Sequence, residues 1–324
     1  MGPGVRNWLL AFNWLLAFLC VASTAAAQGY PTKAVKIIVP LAAGGTGDTL
    51  ARLLAEELAK SLGAAFIVDN RPGSGGIIGT DAVAKSVPDG YTLLHTSSSH
   101  VMHPALRPQL SYDAIKDFLV LARTADTHQV LLAHPSFPPN TVGELLAYAK
   151  AHRVFYGSAG NGSATHLHME LLKSLAGIDL EHVPYKGSTQ ARTDLLAGQI
   201  QLAFDGLLPN LPQIRAGKLK ALALASSRRS AAAPEVPTLS EAGVPAYQSD
   251  TWYALFAPAG VARPIVERLR SAAHLALKSP ALQEKFLQQG AEPAQSSPAE
   301  LESLMRADLA RWTKLVSEAR VKVD

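Results

Sequence analysis

The chain has 324 residues, a length typical of about two domains. Hydrophobic residues make up 48% of it, which is enough for two cores and too much for a disordered protein. The formal net charge of +4 at pH 7 is compatible with acidic ligands and argues against the clustered basicity of a nucleic-acid binder.

Residues 1–27 have the pattern of a secretory signal peptide. Arg6 supplies a positive charge, an apolar run follows, and small residues at 25–27 offer a cleavage site. A permanent membrane anchor is the weaker alternative, because the run is shorter than the ~20 residues of a span. The only cysteine, Cys20, lies in this segment. We therefore expect a secreted mature chain with no disulfide, thiolate metal site or cysteine nucleophile.

The stretch from residue 36 to residue 50 predicts a buried strand, a glycine-rich turn and the start of a helix. Glycines in such a turn leave backbone N–H groups uncovered. Leucines that recur every four residues give the helix one apolar stripe, and Thr46 or Asp48 can cap it. The N–H groups at a helix N-terminus favour an anion, either a phosphate or a carboxylate.

A second stretch of the same kind lies far downstream, at residues 154–167. An apolar strand again leads into glycines and small hydroxyl residues and then into a helix. One such loop is a weak signal. Two of them, about a domain apart, suggest a small anion held between two lobes.

Polar residues follow two further predicted strands. Ser97 and Ser98 come after a strand at 91–95, where ligands bind in open α/β sheets. Asp205 ends a strand at 200–204 and either caps the next helix or accepts a hydrogen bond from a ligand amine or hydroxyl.

Strands and helices alternate along the mature chain, which predicts an α/β fold with largely parallel sheets. The first crossing between lobes is expected near residues 123–129, and a strand near 249–257 returns to the first lobe. We therefore assign residues 28–128 and 251–324 to one lobe and residues 129–250 to the other.

The sequence contains no strong catalytic or metal-binding motif. It lacks the nucleotide-binding patterns G-x-x-x-x-G-K-[ST] and G-x-G-x-x-G, and it also lacks the G-x-S-x-G nucleophile motif. His166 and His168 stand two positions apart on a predicted helix, so they point to different faces and argue against a metal pair. We expect no catalytic residue, metal or cofactor.

Several short motifs occur in order along the mature chain: Tyr30–Pro31, Ile38–Pro40, Asn70–Gly73, Pro88–Leu93, Ser158–Ser163, His182–Gly187 and Glu235–Gly243. Together they resemble the Bug-type extracytoplasmic solute receptors, the substrate-binding proteins of tripartite tricarboxylate transporters. The resemblance spans essentially the whole mature chain. It implies a two-lobed fold similar to type II periplasmic binding proteins, with mixed, mostly parallel sheets and two interlobe crossovers.

The resemblance also implies a function. We expect a periplasmic receptor, not an enzyme, that reversibly binds a small mono-, di- or tricarboxylate for uptake through membrane permease subunits. A receptor that presents the ligand to a sensor protein and, less favoured, an enzyme on the same scaffold stay open. We expect a monomer with no nucleic-acid partner. The expected ligand-binding residues are Ala43, Gly44, Gly45, Thr46, Asp48, Ser97, Ser98, Ser158, Gly160, Asn161, Gly162, Ser163, Thr165 and Asp205.

Three positions depart from the pattern that the resemblance implies. Leu41 stands where family members commonly have an aromatic residue, His103 stands where they often have asparagine, and Gly206 stands where they often have asparagine after Phe-Asp. The sequence leaves the roles of Leu41 and His103, and the identity of the ligand, open.

Overall fold

The computed structural model describes residues 29–319 except residues 108, 248 and 295, so the predicted signal peptide lies outside the described residues. The described part of the chain forms eleven β-strands in two sheets, together with ten α-helices. Each sheet and the helices that cover it form one lobe, called lobe 1 and lobe 2 below.

Lobe 1 is built on a six-stranded sheet. Its strands are β1 (Val35–Val39), β2 (Phe66–Asn70), β3 (Thr92–Ser97), β4 (Phe118–Thr127), β10 (Thr251–Pro258) and β11 (Ala291–Pro293). Their spatial order is β11-β4-β10-β3-β1-β2. The strand β1 pairs in parallel with β2 and β3, whereas β10 runs antiparallel to β3 and β4, and β11 antiparallel to β4.

Lobe 2 is built on a five-stranded sheet. Its strands are β5 (Gln129–Ala133), β6 (Phe155–Ser158), β7 (Glu181–Pro184), β8 (Leu202–Gly206) and β9 (Lys220–Ala225), in the spatial order β7-β6-β8-β5-β9. The strand β6 pairs in parallel with β7 and β8, whereas β5 runs antiparallel to β8 and β9.

Helices cover both sheets. They are α1 (Thr46–Leu62), α2 (Ile77–Ala84), α3 (Ser99–Leu106), α4 (Val142–Ala149), α5 (Ala164–Ala176), α6 (Ser188–Leu196), α7 (Leu207–Arg215), α8 (Arg263–Leu277), α9 (Pro280–Gln288) and α10 (Pro298–Ala319). Across residues 29–319, outside the three gaps, none of the helices is long and apolar enough to cross a membrane.

The chain passes from one sheet to the other twice. His128 alone separates β4 from β5, and a longer segment joins β9 back to β10. The strands that cross enter each sheet against the direction of their neighbours. As a result the mixed sheets contain more antiparallel pairing than expected, and the prediction of mostly parallel sheets is wrong in this respect. The strand β4 also runs through residues 123–127, within the segment where the first crossing between lobes was expected.

Both faces of each sheet are buried by apolar side chains. The predicted stripe on α1 is confirmed, because Leu50, Leu54 and Leu58 are completely buried against the sheet of lobe 1. Each such burial stabilises the fold by about 1.5–3 kcal/mol. Gly63 ends α1 in the left-handed conformation, with φ of 69°. The N-terminus of this helix, at Thr46, faces the space between the lobes.

Candidate functional site

The candidate site is a small cavity between the two lobes, called the interlobe cavity. Its volume is about 40 Å³. A cavity of roughly 10–15 Å³ is enough for one water molecule, so this one has room for only a few waters and not for a dicarboxylate. The lobes contact each other beside it, through the bonds from Thr189 to the Gly44 carbonyl and from His103 to the Gly162 carbonyl. They must part to admit such a ligand. The lining residues are Leu41, Ala42, Gly45, Thr46, Gly47, Asp48, Ser97, Gln129, Ala159, Ser163, Ala164, Thr165, Gly187, Ser188, Asp205 and Tyr253.

Three helix N-termini converge on this cavity. Lobe 1 contributes α1, which follows Gly45, and lobe 2 contributes α5, which follows Ser163. The third is α6, which follows Gly187 and was not expected at the site. The first-turn N–H groups of a helix have no intrahelical acceptor and carry partial positive charge. Among the described lining residues there is no Lys, Arg or His, and the nearby guanidinium groups of Arg52 and Arg192 are paired with Asp48 and Asp205.

Asp48 lines the cavity but is occupied by the protein itself. One carboxylate oxygen accepts hydrogen bonds from the Gly44 N–H at 3.0 Å and from Arg52 Nε at 3.1 Å, and the other lies 2.9 Å from Arg52 Nη2. Burial alone would raise the pKa of Asp48, but the bonds from Arg52 and Gly44 outweigh it and hold the pKa below its usual value. Asp48 therefore holds the first glycine loop (residues 43–48) in place, and the Gly44 N–H is already used.

The second glycine loop (residues 158–165) is held largely by its own hydroxyl groups. Thr165 Oγ1 accepts from the Ala159 N–H at 2.9 Å, and Ser158 Oγ accepts from the Gly160 N–H at 3.1 Å. Ser163 Oγ caps α5 by accepting from the His166 N–H at 3.4 Å. Several N–H groups that the glycine pattern left for a ligand are thus satisfied within the loop.

The hydroxyl cluster after β3 divides into two environments. Ser97 lines the cavity, and its Oγ lies 2.9 Å from Ser99 Oγ. The Ser98 side chain is fully buried away from the cavity, and its N–H donates to the Trp252 carbonyl. Ser97 is therefore the member of this pair that a ligand in the cavity can reach.

Asp205 lies at the end of β8 and is 5% exposed. Its Oδ2 accepts from Arg192 Nε at 2.8 Å and from Asn210 Nδ2 at 3.0 Å, and its Oδ1 accepts from the Gly206 N–H at 2.8 Å. Arg192 on α6 also brings Nη2 within 2.7 Å of Oδ2. This ion pair neutralises the carboxylate next to the cavity, and Oδ1 retains acceptor capacity for a ligand donor.

Tyr253 and Gln129 are lining residues that the sequence analysis missed. The Tyr253 ring stacks on His95 at 5.8 Å and packs so closely on Gly47 that a Cβ there would lie 3.0 Å from the ring. Burial and the charge of Asp205 raise the pKa of Tyr253, so its hydroxyl remains a donor at neutral pH. Gln129 is 3% exposed, and its Oε1 has no hydrogen-bond partner within the described chain. A polar residue at the start of an otherwise apolar strand was the available signal for Gln129.

Half of the expected ligand-binding residues line the cavity: Gly45, Thr46, Asp48, Ser97, Ser163, Thr165 and Asp205. The others lie in the same loops without lining it: Ala43, Gly44, Ser98, Ser158, Gly160, Asn161 and Gly162. Leu41, whose role was open, is in the lining.

The two histidines on α5 do not share a ligand. His166 Nδ1 accepts from the Gly162 N–H at 3.0 Å, whereas His168 bonds Tyr247 and Thr251 on its two ring nitrogens. Within the part of the chain that the structure describes, no group of three or more His, Cys, Asp or Glu side chains is placed to hold a metal ion.

Comparison with known proteins decides the family. The sequence profile of the tripartite tricarboxylate transporter family receptor, TctC, matches residues 50–321. The chain belongs to this receptor family. Protein BugT of Bordetella pertussis is 37% identical to the receptor over 319 residues, which are 97% of this chain and 98% of BugT.

Solved structures show the same fold. The periplasmic binding protein BugD is 34% identical, with a TM-score of 0.85, and the match covers 90% of the receptor and 99% of BugD. MatC from Rhodopseudomonas palustris, solved with bound malate, is 35% identical with a TM-score of 0.85, and the match covers 89% and 100% of the two chains. These likenesses confirm the predicted family and the two-lobed periplasmic-binding-protein fold. The family and these relatives are receptors and binding proteins.

Proposed function

We propose that this receptor binds a small carboxylate reversibly in the interlobe cavity and delivers it to membrane permease subunits of a tripartite transporter. The observation that carries the proposal is the convergence of three helix N-termini from two lobes on one cavity. Fixed N–H dipoles at helix ends attract an anion without a buried cation. The malate bound to MatC supports the ligand class.

The proposed ligand contacts come from both lobes. We assign residues 28–128 and 251–324 to lobe 1 and residues 129–250 to lobe 2. Amides at the starts of α1, α5 and α6 face one carboxylate, and the Ser97, Ser163 and Thr165 hydroxyls add hydrogen bonds. Asp205 receives a donor group at the other end of the ligand. Gln129 and Tyr253, which were not expected from the sequence, are two further candidate contacts and complete the polar lining.

The proposed setting is the periplasm, reached through the signal peptide at residues 1–27. BugD is named as a periplasmic binding protein, which supports this location. We expect a monomer that closes around its ligand by hinge bending and opens again to release it.

A thermal-shift screen of residues 28–324 tests the proposal. Malate and succinate should raise the unfolding temperature, whereas the uncharged diamide of malic acid should not. A ligand at a hundred times its Kd stabilises a protein by about 2.7 kcal/mol. Mass spectrometry should recover the bound acid unchanged, because a receptor does not turn its ligand over.

A larger side chain in the cavity tests the location of the site, and the same substitution elsewhere in lobe 2 is the matched control. Ala164→Leu places a larger side chain in the lining and should abolish the thermal shift. Ala151→Leu makes the same change at an exposed position in lobe 2 and should leave the shift intact. Stabilisation that survives Ala164→Leu would place the ligand elsewhere, and conversion of the acid would indicate an enzyme.

A further inference from the structure

His103 connects the two lobes outside the interlobe cavity. It lies on α3 of lobe 1, is 2% exposed, and its Nε2 donates a hydrogen bond to the Gly162 carbonyl at 2.9 Å. Gly162 belongs to the second glycine loop of lobe 2. A side chain of one lobe thus holds the backbone of the loop that begins α5 in the other.

Lobe 1 supports the same loop at a second point. Gly75, in the short 3₁₀ turn at Ser74–Gly76, has a φ of 67°, and a Cβ on it would collide with the Asn161 carbonyl and lie 2.7 Å from the Ser163 nitrogen. The backbones of the two lobes are therefore in direct contact here. Gly75 and His103 together hold residues 161–163.

The residue that His103 binds, Gly162, is directly followed by residues that line the cavity. The Gly162 N–H donates to His166 Nδ1 at 3.0 Å, so the Gly162 residue is held at both its carbonyl and its N–H. The next residues, Ser163 and Ala164, line the cavity. A shift of Gly162 would move both the cap and the first turn of α5.

We propose that His103 is a positioning residue that ties the start of α5 to lobe 1 in the closed receptor, so that acidification weakens lobe closure and ligand affinity. This inference rests on the proposed function, because it treats the interlobe cavity as the ligand site. His103 itself does not line the cavity.

The surroundings of His103 fix the direction of the pH effect. On its own helix and just beyond it lie His100 and Arg107, the Tyr112 hydroxyl is 3.5 Å from Nδ1, and His166 lies across the lobe contact. None of these is a carboxylate that would stabilise a charged ring. Burial lowers the pKa of His103 to about 4, the Gly162 carbonyl opposes that shift, and Arg107 adds to it.

When the lobes part, the Gly162 loop no longer covers His103, so its pKa should return towards the ordinary value of about 6.5. The proton then binds the open form in preference to the closed one. Closure is fully favoured above pH 6.5 and is progressively lost as the pH falls below it. From these two pKa values, affinity should weaken roughly tenfold between pH 8 and pH 5.5.

Two variants of His103 separate its hydrogen bond from its titration. His103→Gln keeps a donor near the position of Nε2 and removes the titrating ring, whereas His103→Leu removes both. His152→Gln changes an exposed histidine and serves as the control. Titration calorimetry with malate at pH 8 and pH 5.5 measures the affinity of each chain. Protonation of malate is common to all chains, so the ratio between them isolates His103.

The second readout needs no ligand. The mature chain has no cysteine, so spin labels at Ser61→Cys on α1 and Gln190→Cys on α6, both exposed, report the distance across the cleft. In the unsubstituted receptor and in His152→Gln, the distance between the labels should increase from pH 8 to pH 5.5. In His103→Gln it should be the same at both pH values. His103→Leu should lose about fivefold in affinity at pH 8 and show a flat profile.

The results distinguish a failure of the inference about His103 from a failure of the proposed function. A His103→Gln profile as steep as that of the unsubstituted chain overturns the inference, as does a His103→Leu chain with unchanged affinity and distance at pH 8. If malate binds none of the chains, the proposed function is in doubt, and the spin-label distances still test the role of His103. Circular dichroism verifies that each variant is folded.

Discussion

Thr189 Oγ1, on α6 of lobe 2, donates a hydrogen bond to the Gly44 carbonyl of lobe 1 at 3.3 Å. Beside this bond a Cβ on Gly187 would lie 3.1 Å from the Ala42 Cβ. The two glycine-containing turns thus touch at the mouth of the interlobe cavity. Thr189 is exposed, so water competes for its hydroxyl as soon as the lobes move.

The mouth contact should control how fast a ligand leaves. Thr189→Val removes the donor and keeps the shape of the side chain, and one neutral hydrogen bond contributes about 0.5–1.5 kcal/mol. We expect release of malate to become roughly threefold to tenfold faster in stopped-flow measurements. Thr193→Val is the control, because Thr193 Oγ1 bonds within its own helix, to the Thr189 carbonyl. Equal release rates in the two variants would remove the mouth contact from the mechanism.

A methyl group at Gly75 should hold the lobes apart. Gly75→Ala directs a Cβ into the backbone of residues 161–163, so we expect loss of ligand-induced stabilisation in a thermal-shift assay. Gly217→Ala is matched in backbone strain, since both glycines have a φ of 67°, but its Cβ would meet nothing within 4 Å. The control should lose about 1 kcal/mol of folding stability and keep the ligand effect. Ligand stabilisation retained in Gly75→Ala would show that closure does not need this contact.

The Asp205–Arg192 pair should set the charge that the cavity accepts. Asp205→Asn keeps the size of the side chain and leaves Arg192 without its carboxylate partner. We expect the affinity for citrate to rise relative to that for acetate by roughly tenfold, measured by calorimetry, because a charge freed near a desolvated site is weakly screened. Glu181→Gln removes the partner of Arg153 on the surface of the same lobe and should leave the ratio unchanged. An unchanged ratio in Asp205→Asn would count against a selective role.

Asp48 should contribute to folding stability at neutral pH. Asp48→Asn removes the ion pair with Arg52 and weakens the bond from Gly44, which should cost about 1–3 kcal/mol in the free energy of unfolding. The folded-state pKa of Asp48 is lowered, so this stability is fully present above the ordinary aspartate value of 3.8 and disappears as the pH falls through the lower folded value. Urea unfolding at pH 7 measures the cost of the substitution, and urea unfolding at pH 3 measures how far that cost disappears on acidification. Asp69→Asn, whose pair with Arg71 is more exposed, should cost less than 1 kcal/mol.

Local patterns in the sequence were sufficient for much of the fold. The glycine-to-helix transitions at Thr46 and Ala164 follow from the spacing of glycines and apolar residues, and the apolar stripe of α1 follows from its leucine repeat. The expected cap of α1 by Thr46 or Asp48 is wrong, because Gly45 is the N-cap and no side chain caps the helix. Such signals depend on neighbours within one turn of the chain. The antiparallel course of β4 and β10 depends on where the chain crosses between lobes, which no local pattern records.

The same difference between local and long-range signals explains which parts of the candidate site could be predicted. The loops that approach the cavity were predictable, but the use of their N–H groups was not. The third helix N-terminus, at Ser188, follows a strand without the glycine density of the first two loops. Tyr253 and His103 act through partners far away in the sequence, Gly47 and Gly162, and only the folded chain brings these pairs together.

The link between β4 and β5 consists of His128 alone. A joint of one residue offers two backbone torsions, so the lobes cannot slide or reorient freely on that side. The longer return between β9 and β10 must follow the arc that this joint permits. The receptor should therefore open along a single reproducible path, and the membrane partner proposed above would need to distinguish only the open and the closed shape.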